Sequence, residues 1–337
     1  MSRLKAALAA LALVSTPALA GKTLDAIKAK GQIACGVSTG VIGFSAADSQ
    51  GQWKGLDVDV CKALAAAVLG DANKVRWVPL NSQQRFTALQ SGEVDILSRN
   101  TTWSLTRDAA LGLHFTAVTY YDGQGFLVAR KSKVTSAKQL KNAEICVQSG
   151  TTTEKNLSDY FRTQGIKVKP VVFEKFEPSI KAFFSGRCQA YTTDASALAF
   201  IRTKEAPTPD DYVVLPEIIS KEPLGPAVRR GDDEWFAIVK WTINALIEAE
   251  ELGITQAKVD SLKASPDPAV QRFLGVGEDL GKSLGLDREW AARAVKAVGN
   301  YGEIFNRNVG PDSPLKLPRG LNAQWNKGGI LYAPPLR

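Results

Sequence analysis

Two hydroxyl-rich segments of this chain end in opposite fixed charges: Asn100-Thr101-Thr102-Trp103-Ser104-Leu105-Thr106-Arg107 and Tyr191-Thr192-Thr193-Asp194. A planar guanidinium grips a carboxylate through two charge-assisted hydrogen bonds, and an aspartate accepts from an ammonium. One cation and one anion, each beside hydroxyls, are the two handles that a free amino acid requires. Gly150-Thr151-Thr152-Thr153-Glu154 adds hydroxyls and unpaired backbone N–H groups where a helix should begin, a setting that favours an α-carboxylate. The plainer alternatives are a surface ion pair between Arg107 and Asp108, a helix cap by Asp194, and an ordinary N-cap at Thr151 or Thr152.

Other reactive patterns are weaker. Gly36-Val37-Ser38-Thr39-Gly40 matches a nucleophile elbow, but turn residues rather than a helix follow it. Ser38 is therefore expected to touch a ligand or to form a turn. His114, the one histidine, sits in the apolar run Leu111-Gly112-Leu113-His114-Phe115 and reads as structural. Nothing resembles metal-ligand spacing, and neither a metal nor a cofactor is expected. Cys35, Cys61, Cys146 and Cys188 allow three pairings or four free thiols. The expected pairing is Cys35 with Cys61 and Cys146 with Cys188, one bridge inside each half of an oxidised protein.

The elements that must position these residues alternate. Strands at 32–37, 75–80 and 94–97 are separated by helical stretches beginning at Val58 and Gln84, a βαβαβ order that implies a largely parallel sheet. Ligands of such sheets lie beyond the carboxyl ends of the strands, where Ser38 and Asn100 to Thr102 fall. The pattern restarts after Lys133, with strands at 144–147, 168–173 and 189–193 around helices from Thr151 and Ser179. Two similar α/β lobes follow, Arg107 from one and Asp194 from the other, with a cleft between them. From about Asp232 the periodicity is helical, with helices over 235–251, 256–263 and 290–300. A Pro- and Gly-rich tail carrying Trp325, Leu331 and Tyr332 is expected to lie ordered on the first lobe.

Met1 to Lys5 is basic, Ala6 to Leu13 apolar, and Ala18-Leu19-Ala20 a small-residue cleavage site, so an export signal removed after Ala20 is expected, with a periplasmic destination. The chain is 45% hydrophobic and 23% charged, the balance of a globular protein. Its net charge of +8 is spread without a Lys/Arg run longer than two, a poor match to nucleic-acid binding.

Taken in order, Gly55-Leu56-Asp57-Val58-Asp59, Asn100 to Arg107, Gln148-Ser149-Gly150-Thr151-Thr152 and Thr193-Asp194 resemble the polar amino-acid-binding family of periplasmic proteins that feed ABC importers. Gly36 to Gly40, Tyr120 to Phe126, and the ending Leu317 to Asn322 and Tyr332 to Pro335 are similar to its general L-amino-acid-binding subgroup. The resemblance implies two α/β lobes joined by two crossing strands near 123–126 and 232, with lobe 1 formed by 21–123 and 232–337 and lobe 2 by 124–231. It implies a non-enzymatic monomer that captures L-amino acids of many types and hands them to membrane permease subunits.

In that reading Arg107 clamps the α-carboxylate with Thr102 and the backbone at Thr152, Asn100 and Asp194 hold the ammonium, and Thr151 is a further ligand contact. Val41, Phe44, Trp103 and Gln148 line a permissive side-chain pocket. The rival is a dehydratase of the cyclohexadienyl type on the same scaffold, with Glu154 or Asp194 as its general acid.

Overall fold

Ile33-Ala34-Cys35-Gly36-Val37 is apolar without alternation, as a strand covered on both faces must be, and all five residues are buried. The computed structural model containing this strand describes residues 22–337, so the export signal and its cleavage site lie outside the described residues. Helix α1 (Lys22–Lys30) leads into that strand, β1 (Ile33–Val37). The short hairpin β2 (Ala46–Ala47) and β3 (Trp53–Lys54) follows, then α2 (Leu56–Leu69), β4 (Val75–Pro79), α3 (Gln84–Ser91), β5 (Ile96–Leu97) and β6 (Leu113–Phe115). Strand β7 (Tyr120–Asp122) crosses to a second unit of β8 (Gln124–Ala129), β9 (Glu144–Gln148), α4 (Thr152–Thr163), β10 (Lys169–Phe173), α5 (Phe176–Phe184), β11 (Ala190–Asp194), α6 (Ala195–Phe200) and β12 (Tyr212–Val214). Strand β13 (Glu222–Leu224) returns antiparallel to β7, and β14 (Ala227–Arg229), α7 (Asp233–Glu251), α8 (Pro268–Phe273), α9 (Trp290–Val298) and α10 (Tyr301–Asn308) complete the chain.

The two sheets repeat one plan. The first runs β4-β1-β5-β14-β6, with β1 parallel to β4 and β5 and with β14 antiparallel to its neighbours. The second runs β10-β9-β11-β8-β12, again three parallel strands followed by antiparallel pairs. One boundary moves. Residues 227–229, expected in lobe 2, form β14 inside the first sheet, so the chain crosses back at β13 rather than near Asp232. Asp232 instead caps α7, its carboxylate accepting from the Trp235 N–H at 3.0 Å. The helix expected at 256–263 is a set of turns ending in a 3₁₀ segment at Ser261–Ala264.

Gly55, ahead of α2, has φ 134°, and a Cβ there would stand 2.0 Å from the Phe44 carbonyl oxygen. Only glycine admits that approach. It places Asp57 in the first turn of α2, beneath the loop that follows β5. In the same turn, Asp59 accepts from Arg307 at 2.7 Å and Asn308 at 2.6 Å, tying α10 to α2. The tail is ordered against α7 and β7. Arg319 pairs with Glu250 at 3.0 Å, the Leu336 N–H donates to Glu248, and the Asn322 side chain both accepts from the Tyr121 N–H and donates to its carbonyl.

Cys35 is bridged to Cys61 and Cys146 to Cys188, at sequence separations of 26 and 42. Each bridge joins a strand of one sheet to a segment packed on that same sheet, so each stiffens one lobe and leaves the crossing strands free. Cross-links closing loops of this size remove about 3–4 kcal/mol of unfolded-chain freedom. Replacing Cys146 and Cys188 together by serine should lower the urea midpoint accordingly while leaving ligand affinity within about twofold. An unchanged midpoint would show that the bridge contributes nothing to stability.

Candidate functional site

The loop after β5 carries the first handle. Asn100 sits at φ 32°, a left-handed conformation that costs energy outside glycine, and its N–H donates to Asp57 at 2.7 Å. Ser98 donates to the same carboxylate at 3.3 Å. Burial nonetheless pushes the Asp57 carboxyl up to about 6. So anchored, the chain runs extended through Thr102, which bridges to Leu224, and turns at Thr106–Ala110, a π-helical turn that carries Arg107. Extended neighbours point opposite ways. Thr102 faces inward, while Trp103, expected in the pocket, points outward, stacked on Phe115 and 39% exposed.

Arg107 is buried, and burial lowers its pKa. Its Nη1 donates to the Thr102 carbonyl at 3.0 Å, and its guanidinium carbon lies 5.3 Å from the centroid of the Phe86 ring. Among the described residues it pairs with no carboxylate.

The second handle ends β11. Asp194 occupies the N-cap position of α6, yet its side chain makes no capping bond. Its carboxyl is held well above the usual range by burial first, then by the nearby Asp122 and Glu222, with Arg107 and Arg85 pulling the other way. Asp122 accepts from Gly123 N–H at 2.8 Å and from the Ser196 hydroxyl, and burial pushes it up to about 6.

Both handles face one cleft, and clefts between lobes are a preferred place for small ligands. Arg107, Asp194, Asn100, Thr102, Gln148, Thr151, Thr152 and Val41 line it. The lobes also meet across it. Asn81 donates to Glu174 at 3.1 Å, Gln83 to Ser149 at 3.1 Å and Arg85 to the Gly150 carbonyl at 3.3 Å. Thr151 caps α4, accepting from Glu154 N–H at 3.1 Å, so the plain reading of that segment holds alongside its place in the lining.

Two further expected residues lie outside the cleft lining. Ser38 is fully buried and donates to the Ser45 carbonyl at 2.7 Å, a turn-forming role that disposes of the nucleophile-elbow pattern. Phe44 is buried edge-on against Tyr120 at 5.2 Å, committed to the core beneath the site. His114 is also absent from the lining and packs against Phe236. Glu154, a candidate acid of the dehydratase reading, accepts from Gly150 N–H at 3.0 Å and does not line the cleft.

Four important groups had no sequence signal. Arg85 and Arg99 bring the cations of the cleft to three. Arg99 is anchored, donating to the Leu80 carbonyl at 2.9 Å and to Ser82 at 3.1 Å, and burial lowers its pKa to about 10. Phe176 supplies an aromatic wall from lobe 2. Glu222, on β13 and buried, accepts from Thr102 at 2.5 Å, Thr152 at 2.7 Å, Asn156 at 2.7 Å and Ser220 at 2.6 Å. The hydroxyl protons of Thr102 and Thr152 are thus directed at Glu222, which leaves their oxygens and the α4 N–H groups as what they offer the cleft.

Residues 33–258 match the model of the bacterial extracellular solute-binding proteins, family 3. The chain is 59% identical over 98% of its length, and 97% of the relative's, to the general L-amino acid-binding periplasmic protein AapJ of Rhizobium johnstonii. It is 52% identical to the glutamate/glutamine/aspartate/asparagine-binding protein BztA of Rhodobacter capsulatus, covering 97% of both chains. Among solved structures it is similar to an ABC transporter periplasmic binding protein from Brucella ovis with glutathione bound, at 55% identity and TM-score 0.91, covering 94% of this chain and 99% of that one.

Proposed function

Because this chain belongs to the bacterial extracellular solute-binding proteins of family 3, we propose that it captures free L-amino acids between its lobes and delivers them to the permease subunits of an ABC importer. The observation that carries this reading is a pair of buried, opposite and unpaired charges, Arg107 and Asp194, facing one small cleft from two lobes. Unpaired buried charge is costly, and a ligand that supplies a carboxylate to one and an ammonium to the other removes both penalties. The α-carboxylate lies against Arg107 and the N–H groups at the start of α4; the ammonium lies against Asp194 and the unpartnered Asn100 Oδ1. Glutathione carries the same α-carboxylate and α-ammonium on its γ-glutamyl residue, so the ligand of the Brucella ovis relative presents this head group too. Broad use of amino acids follows from placing the fixed charges at the head group. The protein works in the periplasm, as a monomer, after losing its signal, without a cofactor, and as a carrier rather than an enzyme. Of the two acids that a dehydratase could use, only Asp194 lines the cleft.

Titration calorimetry on protein stripped of ligand by unfolding and refolding tests this. Common L-amino acids should bind, and ligand at a hundred times its dissociation constant should add about 2.7 kcal/mol of stability. Asp194 titrates high in the empty cleft, and an ammonium beside it favours the ionised form. Binding should therefore release protons, and affinity should fall as pH drops through the raised carboxyl range. Heats compared in buffers of different ionisation enthalpy give the proton count. Silence with every L-amino acid, or proton uptake on binding, would overturn the assignment.

A further inference from the structure

The cleft borders a second space. Thr39 and Phe176 line the cleft and also line this second, solvent-open groove, so the two spaces adjoin at these residues. The groove lies between Asn81 and Gln84 of the first lobe and Glu174, Lys175 and Glu177 of the second. Its lining carries charges of both signs beside the apolar surface of Phe176 and Pro178.

Arg85 lines the cleft. It is 3% exposed and lies over the Phe86 ring at 4.8 Å, its Nε has no hydrogen-bond partner, and its two hydrogen bonds, to Thr101 and the Gly150 carbonyl, are long at 3.4 and 3.3 Å. A buried guanidinium so loosely held calls for an acceptor oxygen from whatever fills the cleft. With Arg107 and Asp194 occupied by the α-carboxylate and ammonium, an oxygen of the ligand's side chain can supply it. A carboxylate would end the ligand there. The carbonyl of an amide would satisfy Arg85 equally and let the molecule continue past Thr39 and Phe176 into the groove.

We propose that the protein also binds amino acids extended through their side-chain carboxyl by an amide bond, the γ-glutamyl peptides, with the α-amino-acid head in the cleft and the added residue in the outer groove. The proposal rests on the amino-acid reading of Arg107 and Asp194. A peptide joined through its α-carboxyl lacks the free carboxylate beside the ammonium and is refused.

Calorimetry on the stripped full-length mature protein compares free L-amino acids, γ-L-glutamylglycine and α-L-glutamylglycine. The γ-linked dipeptide should bind within roughly tenfold of the tightest free amino acid, and the α-linked one at least about a hundredfold more weakly. Gln84→Trp, which fills the groove alone, should weaken the γ-linked dipeptide about tenfold or more and leave the free amino acid within about twofold. If free amino acids bind and the γ-linked dipeptide does not, or the α-linked one binds as well, the proposal falls and the amino-acid reading stands. Equal weakening of both ligands by Gln84→Trp would also overturn it. If neither free amino acids nor the γ-linked dipeptide binds, the reading of Arg107 and Asp194 has itself failed.

Discussion

Arg107→Ala and Asp194→Asn should each weaken capture of an L-amino acid by about a hundredfold to a thousandfold. Removing one partner of a buried charge pair costs about 3–5 kcal/mol, because the surviving charge stays desolvated, and each 1.4 kcal/mol is tenfold in affinity. In the empty protein the same substitution at Asp194 should act with opposite sign. Its carboxyl is buried, accepts no capping bond and titrates well above the ordinary range. A folded-state pKa raised above the unfolded one lowers stability at every pH above about 4, where the unfolded carboxyl ionises, and the loss grows until the folded pKa is reached. Asp194→Asn lifts that loss. The ligand-free variant should melt higher than wild type near neutral pH, and the difference should vanish below about pH 4. Calorimetry and thermal unfolding on the same preparation read both effects. Weaker binding with lower stability would indicate mere misfolding, and unchanged binding would remove Asp194 from the site.

The second large effect belongs to Glu222. Its carboxylate gathers hydroxyls from Thr102 of the first lobe and Thr152 of the second, together with Asn156 and Ser220, on the returning strand β13. Glu222→Ala leaves four donors without their acceptor, Thr102 buried and Thr152, Asn156 and Ser220 part-buried, at about 1–3 kcal/mol for each that finds no other partner. It also frees the two lobes to part at the floor of the cleft. The variant should melt several degrees lower, bind an amino acid about tenfold or more weakly, and show a larger radius of gyration by small-angle scattering in the absence of ligand. Glu222→Gln keeps an acceptor and should recover part of each. Wild-type affinity and radius in Glu222→Ala would show that the contact is incidental to closure.

Why Arg107 and Asp194 were legible and Glu222 was not has a physical basis. A strand buried on both faces is an apolar run, so β1 announces itself, and the hydroxyl-rich segments ending in Arg107 and Asp194 fall at or beyond the carboxyl ends of strands, where such sheets meet their ligands. The duplication of that pattern made the two-lobed architecture readable. Arg85 stands two residues into α3, where an arginine ordinarily extends into water, and only the opposing lobe's Gly150 makes its position internal. Phe176 opens a helix whose apolar face reads equally well as core. Glu222 lies between Lys221 and Pro223 in a stretch with no periodicity, and β13 and β14 are each three residues long. Contacts between remote segments decide such short strands, which is why the return crossing moved upstream. Phe44 and Trp103 were the right residue types in the right loops; the parity of an extended chain turned Trp103 away, and the core claimed Phe44.

Asn322 offers its side-chain oxygen to the Tyr121 N–H and its amide to the Tyr121 carbonyl, as one residue of a neighbouring strand would. Strand β7 has β13 on one side only. A ribbon of two strands has rims that invite foreign chains to add to it, and here a single amide from the tail occupies the exposed rim at its midpoint. The C-terminal segment therefore covers this rim of the crossing strands from within the same chain. Its loss would be felt first as self-association at high concentration, before any change in what the cleft holds.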